Sequence, residues 1–245
     1  VDAVKFQSFK TEEFMANKKL KYNYKTAKGI KSENMYKMFK RLEFKKEWYL
    51  KLSNLCRNLG IDFLSSAADI ESANILKKIK SKAIKIASED IINYPLLKKI
   101  SKLNKKVILS TGMADQKEVE RAVLILKSIK KKLTLLHCVS LYPTPEDKIN
   151  LNRILALKEK YNLPVGFSDH TEGIESSLAA AALGARVLEK HITLNKNLPG
   201  PDHKASINPK EFKKMIEGVR NITIALGNGV KKVSSSERKN IKIAR

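Results

Sequence analysis

Cysteine is nearly absent. Only Cys56 and Cys138 occur in 245 residues, which leaves no CxxC metal or redox pair and no disulfide framework, so a reducing cytoplasm is the expected compartment. No apolar leader pattern opens the sequence. Long hydrophobic runs are missing as well: the most apolar stretch, "SSLAAAALGARVL", is broken by Gly184 and Arg186 and falls short of the roughly 20 residues a membrane span needs, so no membrane association is expected. Acidic residues are few, 25 Asp and Glu against 49 Lys and Arg, giving a net charge of +24. Arginine is scarce within that excess, 8 against 41 lysines, whereas readers of bases and phosphates favour the arginine fork. The lysines spread along amphipathic segments such as "KKEWYLKL", "NILKKIKSK" and "LLKKISKLNKK". They read as a solvated surface that draws in small anions, and no nucleic-acid partner is expected. The competing reading, a basic nucleic-acid-binding protein, predicts binding that collapses steeply with salt.

What the sequence does hold is alternation. Short β-branched runs at 2–7, 62–66, 83–88, 106–111, 133–140, 164–168 and 186–192 predict strands. Longer amphipathic stretches near 45–59, 71–80, 94–103, 115–130, 149–161, 173–183 and 209–226 predict helices. Strand followed by helix, repeated seven times, predicts an α/β fold with a parallel sheet: either doubly wound or a (β/α)8 TIM barrel. The preferred reading is the barrel, with its first β/α unit missing from this chain. It would occupy residues 1–229, and the polar run 230–245 is expected to be a linker toward a further domain.

The segment "VLEKHIT" (187–193) sets Glu189, Lys190 and His191 inside a strand-like run, although buried charge is costly without a partner. Alternate strand residues face opposite sides. Glu189 and His191 therefore share a face, Lys190 takes the other, and Ser168 pairs with His170 and Lys5 with Gln7. All of these lie late in their strands, where parallel α/β sheets bind ligands. With Lys85, Ser88, Ser110 and Tyr142 they are expected to form one polar cup. Paired imidazoles suit an open metal site able to polarise a carbonyl. Lysines suit phosphate or carboxylate, and Glu189 suits a general base or the holder of a sugar hydroxyl. Each residue alone has a plainer reading: a lone histidine packs in the core, and a strand-end lysine reaches for solvent. His137 has the wrong parity for the cup and is assigned to structure, and "NLPGPDHKAS" (197–206) suits a plain loop, with Asp202, His203 and Lys204 at the rim.

Taken together and in order, "DAVKFQ", "KIAS", "ILSTGM", "LHCVSLYPTPED", "VGFSDHTEGIESSLAAAALGA", "LEKHITL" and "GPDHKAS" resemble the catalytic barrel of the sialic acid synthase family, which includes N-acetylneuraminate, legionaminate and pseudaminate synthases. The resemblance implies a transferase that condenses phosphoenolpyruvate with an N-acylated amino sugar, N-acetylmannosamine or a 2,4-diacetamido-trideoxyhexose, to give a nonulosonic acid and phosphate. It implies a divalent metal, Mn2+ or Mg2+, on His170 and His191. It assigns Lys5, Lys85, Ser88, Ser110 and Ser168 to phosphoenolpyruvate, Ser140 to a phosphate-site position that is asparagine in some members, and Gln7, Tyr142, Glu189 and Asp202 to the sugar. It also implies a homodimer. Departures are visible. "SSAAD" replaces a Ser-Thr-Pro-Phe-like run, so Ser66 stands in for a threonine; the family's first-strand glutamate and its C-terminal antifreeze-like domain are not in the sequence. A related enzyme reading keeps the barrel and phosphoenolpyruvate and takes a phosphorylated sugar as acceptor.

Overall fold

The computed structural model describes residues 1–26 and 29–244, apart from the side chains of Lys25 and Lys242. Its strands are β1 (Ala3–Ser8), β2 (Lys21–Thr26), β3 (Gly29–Asn34), β4 (Asp62–Ala67), β5 (Ala83–Ile86), β6 (Lys106–Ser110), β7 (Leu133–Cys138), β8 (Val165–Asp169) and β9 (Leu188–Lys190). Its helices are α1 (Thr11–Phe14), α2 (Met35–Leu42), α3 (Lys46–Asn58), α4 (Ile70–Lys78), α5 (Tyr94–Ser101), α6 (Gln116–Ile125), α7 (Glu146–Ile149), α8 (Arg153–Tyr161), α9 (Glu175–Ala182), α10 (Pro209–Ala225) and α11 (Ser235–Ala244).

Seven strands form one parallel sheet in the order β1-β4-β5-β6-β7-β8-β9. Their sequences explain the placement. Runs such as Ile84, Ile86, Val107, Leu109, Leu133 and Leu135 are fully or almost fully buried, as expected of strands covered by helices. These side chains join Leu76, Leu97, Ile100, Ala122 and Ile154 from the surrounding helices, and Leu126 just after α6, in a single apolar core. Helix starts are encoded locally. Asp115 and Glu118 form a reciprocal capping box on α6, and Asn208 and Glu211 another on α10.

The sheet is curled. A flat sheet with strands about 4.8 Å apart would hold its edges nearly 30 Å from each other. Yet Lys5 on the first strand and Glu189 on the last stand 3.1 Å apart. Arg220 of α10 reaches across the same gap to Asp2 at 2.9 Å. The architecture is a half-barrel of seven parallel strands, with β1 and β9 as its two edges. The expected α/β class and the seven strand-helix units hold. Closure into eight does not occur among the described residues.

Several elements differ from expectation. An antiparallel hairpin, β2 with β3, and the short helices α1 and α2 fill residues between β1 and α3. Its alternation was masked by lysines and tyrosines, which carry little hydrophobic contrast. The helix expected at 115–130 ends at Ile125, and a 3-10 segment, Lys127–Lys132, follows. The helix expected at 149–161 starts at Arg153, after Asn150 takes a left-handed conformation. β7 stops at Cys138, so Ser140 and Tyr142 sit on the following loop, and β9 stops at Lys190, so His191 lies just past it. The polar run expected as a linker contains the exposed helix α11. No helix among the described residues is long and apolar enough to cross a membrane.

Candidate active site

The carboxyl ends of the strands bring most of the expected cup together. Glu189 on β9 is its centre: one carboxylate oxygen lies 3.1 Å from Lys5 Nζ, 3.6 Å from Lys85 Nζ and 2.8 Å from Ser168 Oγ, which donates to it. Lys85 is buried, and its ammonium also donates to Ser110 Oγ at 2.7 Å and to the Ile86 carbonyl at 3.3 Å. Glu189, interrupting an otherwise strand-like sequence, is thus compensated by ammonium groups from the opposite edge and the middle of the sheet.

Burial works to raise the Glu189 carboxyl, but Lys85, Lys5 and the Ser168 hydroxyl outweigh it and hold the group well below the usual carboxylate range. Burial pushes Lys85 down from its ordinary value, and Glu189 opposes that shift.

The imidazoles of His170 and His191 meet at the rim, ring centroids 5.4 Å apart. Tyr142 lies on both, 4.1 Å from His170 and 5.7 Å from His191. His170 Nδ1 is 2.8 Å from the Val139 carbonyl. A carbonyl can only accept, so Nδ1 carries the proton and Nε2 keeps its lone pair, the state a metal-binding imidazole requires. Burial lowers both histidines to about 4, helped by the neighbouring His191 for His170 and by Lys5 for His191. Both are neutral at pH 7. The 3.5 Å approach of His191 Nδ1 to Asp202 Oδ2 is therefore a long polar contact and not an ion pair. Burial pushes Asp202 up from its ordinary value, and it raises the Tyr142 phenol too.

Two neutral imidazoles, one with its tautomer fixed, fit a divalent ion whose other positions are filled by water or substrate oxygen. Among the described residues, no group of three or more His, Cys, Asp or Glu side chains gathers around a common cation position.

A second feature lies beside the lysines. Gly112 N–H donates to Ser88 Oγ at 3.2 Å. A Cβ at Gly112 would stand 2.6 Å from Ser140 Oγ, 2.7 Å from Ser88 Oγ and 3.1 Å from Cys138 Sγ. The missing side chain lets the Ser140 and Ser88 hydroxyls and the Cys138 sulfur pack directly against the Gly112 backbone. Ser66 is buried on β4, in register with both Gln7 and Lys85, while Gln7 is exposed at the end of β1. His137 faces the helices, where its Nε2 is 2.7 Å from the Ile149 carbonyl and its ring stacks on Phe167.

Asp90, in "KIASED", was overlooked. One carboxylate oxygen is buried without a hydrogen-bond partner, and the side chain lines a cavity of about 520 Å³ with Glu13, Phe14, Leu20 and Glu89. Burial, with the neighbouring Glu89 charge, pushes it up to about 7. The only sequence signal was a pair of adjacent acids after Ser88, which reads equally as a solvated turn.

A curled parallel α/β sheet whose open end joins two ammonium groups, a carboxylate, two imidazoles and a ring of hydroxyls defines an enzyme built for a small, highly anionic substrate. The chain belongs to the NeuB family, whose sequence pattern it matches over residues 1–231. It is 46% identical over 247 residues to an N,N'-diacetyllegionaminic acid synthase of Campylobacter jejuni, covering 100% of this chain and 74% of that one. It is 35% identical over 246 residues to a pseudaminic acid synthase of the same organism, covering 100% and 71%. The crystal structure of a sialic acid synthetase from Leptospira borgpetersenii superposes with a TM-score of 0.86 at 37% identity, covering 99% of this chain and 80% of that one. The resemblance to sialic acid synthases is borne out.

Proposed function

We propose that this chain condenses phosphoenolpyruvate with an N-acylated amino sugar, forming a nonulosonic acid and releasing phosphate. The observation that carries the reading is the meeting of Lys5, Lys85 and Glu189 beside the paired imidazoles, in a chain whose relatives are named synthases of such acids. Greater identity to the N,N'-diacetyllegionaminic acid synthase, 46%, than to the human N-acetylneuraminate-9-phosphate synthase, 32%, favours a 2,4-diacetamido-trideoxyhexose over an N-acetylmannosamine-type acceptor.

Lys5 and Lys85 bind the phosphate and carboxylate of phosphoenolpyruvate, exchanging their bonds to Glu189 for bonds to the substrate. Ser66, Ser88, Ser110, Ser140 and Ser168 donate to its oxygens, with the Ser88 and Ser140 hydroxyls drawn close together against Gly112. His170 and His191 would hold a divalent ion, Mn2+ or Mg2+, which would supply Lewis-acid polarisation of the aldehyde. The enol carbon bonds to the aldehyde carbon, whose oxygen takes up a proton; water adds to the electron-poor C2 and gives up a proton; and the bond from C2 to the phosphate oxygen breaks, releasing phosphate and leaving a ketone at C2. Glu189 remains a carboxylate throughout the neutral range. Its part, once Lys5 and Lys85 have turned to the substrate, is to accept a hydrogen bond from a sugar hydroxyl. Gln7, Tyr142 and Asp202 line the sugar's side of the mouth.

The unpaired edges of β1 and β9 face each other across the curl, which supports insertion of one further strand to complete a (β/α)8 barrel. The relatives' greater length supports a second domain after residue 230. We take the complete protein to be a cytoplasmic homodimer.

In the full chain, phosphate release is expected to require both substrates and a divalent metal, and His191→Ala to abolish it. Unchanged turnover in that variant refutes the site assignment.

A further inference from the structure

Behind the cup, on the faces of β8 and β9 turned away from it, an ion pair is sealed from solvent. Lys190 Nζ is 3.1 Å from Asp169 Oδ2, and neither side chain has exposed surface. The ammonium also donates to the Thr171 carbonyl at 2.7 Å. The carboxylate accepts from the Thr171 backbone N–H at 2.9 Å, from Thr171 Oγ1 at 2.7 Å and from Ser177 Oγ on α9 at 2.5 Å.

A buried ion pair is weak support for stability, because well-packed apolar residues often serve as well. Its location gives it another use. Asp169 and Lys190 are opposite one another in the β8–β9 register. Each immediately precedes a rim imidazole, His170 and His191. β9 spans three residues at the edge of the sheet, so backbone pairing grips it at few points. A one-residue slip of an edge strand exchanges its two faces. Here it would turn Glu189 and His191 out of the cup and leave Asp169 buried without its partner.

We propose that Asp169 and Lys190 are positioning residues that pin β9 against β8 and so hold His170 and His191 at the separation that lets both bind one divalent ion. The inference rests on the metal-binding reading of those imidazoles. The pair touches neither the cup nor a substrate; it acts through the strand register.

The test measures Mn2+ binding to the full chain by calorimetry, without substrate. The double variant Asp169→Asn with Lys190→Met removes both charges and leaves no orphaned ion. It is expected to unfold cooperatively, to bind Mn2+ about 10- to 100-fold more weakly, and to regain its rate of phosphate release at saturating Mn2+. Ser177→Ala, which frees one side of Asp169 without removing a charge, is expected to weaken Mn2+ binding to a smaller degree, and it decides the matter if the double variant does not fold. Leu126→Ala, a cavity in the apolar core, is the control for lost stability and is expected to keep the wild-type affinity. Wild-type affinity in the folded double variant, or in Ser177→Ala where that variant stands in, overturns the proposal. So does equal weakening in Leu126→Ala. A wild-type chain that binds no Mn2+ removes the metal reading and this inference with it, whereas tight binding by wild type and double variant alike removes this inference only.

Discussion

Replacing Glu189 by Gln tests the electrostatics of the cup most directly. Glutamine keeps the shape and can still accept from Ser168, but it leaves Lys5 and Lys85 without their counter-charge. Breaking a fully buried ion pair by removing one partner costs about 3–5 kcal/mol. Lys85 is only 3% exposed, but Lys5 and Glu189 keep 21% and 16% of their side-chain surface in contact with solvent. The lower end, about 3 kcal/mol, is therefore expected. For a domain of this size each kcal/mol lowers Tm by roughly 2–4 °C, so calorimetry at pH 7.5 and low salt is expected to find Tm about 6–12 °C lower. The same change frees two ammonium groups for an anion. Inorganic phosphate is expected to raise the Tm of Glu189→Gln by more than it raises that of the wild type, because in the wild type it must first displace a carboxylate. An unchanged Tm, or an equal response to phosphate in both proteins, refutes the reasoning.

Asp90→Asn is expected to stabilise the protein at pH 8 and not at pH 3.5. An acid raised to about 7 binds its proton more tightly folded than unfolded, so its penalty is absent below the unfolded value, grows as pH rises toward 7 and stays constant above. The gain is on the order of 4 kcal/mol at most, and equal Tm changes at the two pH values would contradict it. Gly112→Ala sets a methyl group 2.6 Å from Ser140 Oγ and 2.7 Å from Ser88 Oγ and so must push both hydroxyls aside. The KM for phosphoenolpyruvate is expected to rise roughly tenfold, with kcat less affected, since loss of uniform binding appears in KM; an unaltered KM removes Ser88 and Ser140 from the substrate site.

The parallel sheet was legible because its strands are short β-branched runs separated by amphipathic helices, and period alone distinguishes the two. The side-chain parity of β1, β8 and β9 also sufficed to put Lys5, Ser168, Glu189 and His191 on one surface, because alternation survives whatever the curvature. Curvature itself was not legible. The contact between Lys5 and Glu189 depends on the accumulated bend of seven strands, which no local pattern records. The hairpin of β2 and β3 was missed because Lys21, Tyr22, Asn23, Tyr24 and Lys25 alternate size more than polarity. Lys190 was correctly turned away from the cup, but its partner Asp169 lies on another strand and could be found only once the register was known.

The shortness of β9 has a bearing on how the protein fails. An element secured at three positions on one side, yet carrying a carboxylate of the reactive mouth and leading straight into one of its imidazoles, has less to lose by detaching than the deep strands of the sheet. Gentle heating or mild denaturant should therefore silence catalysis while far-ultraviolet ellipticity is still native, so the loss of turnover and the melting of the body are two separate transitions.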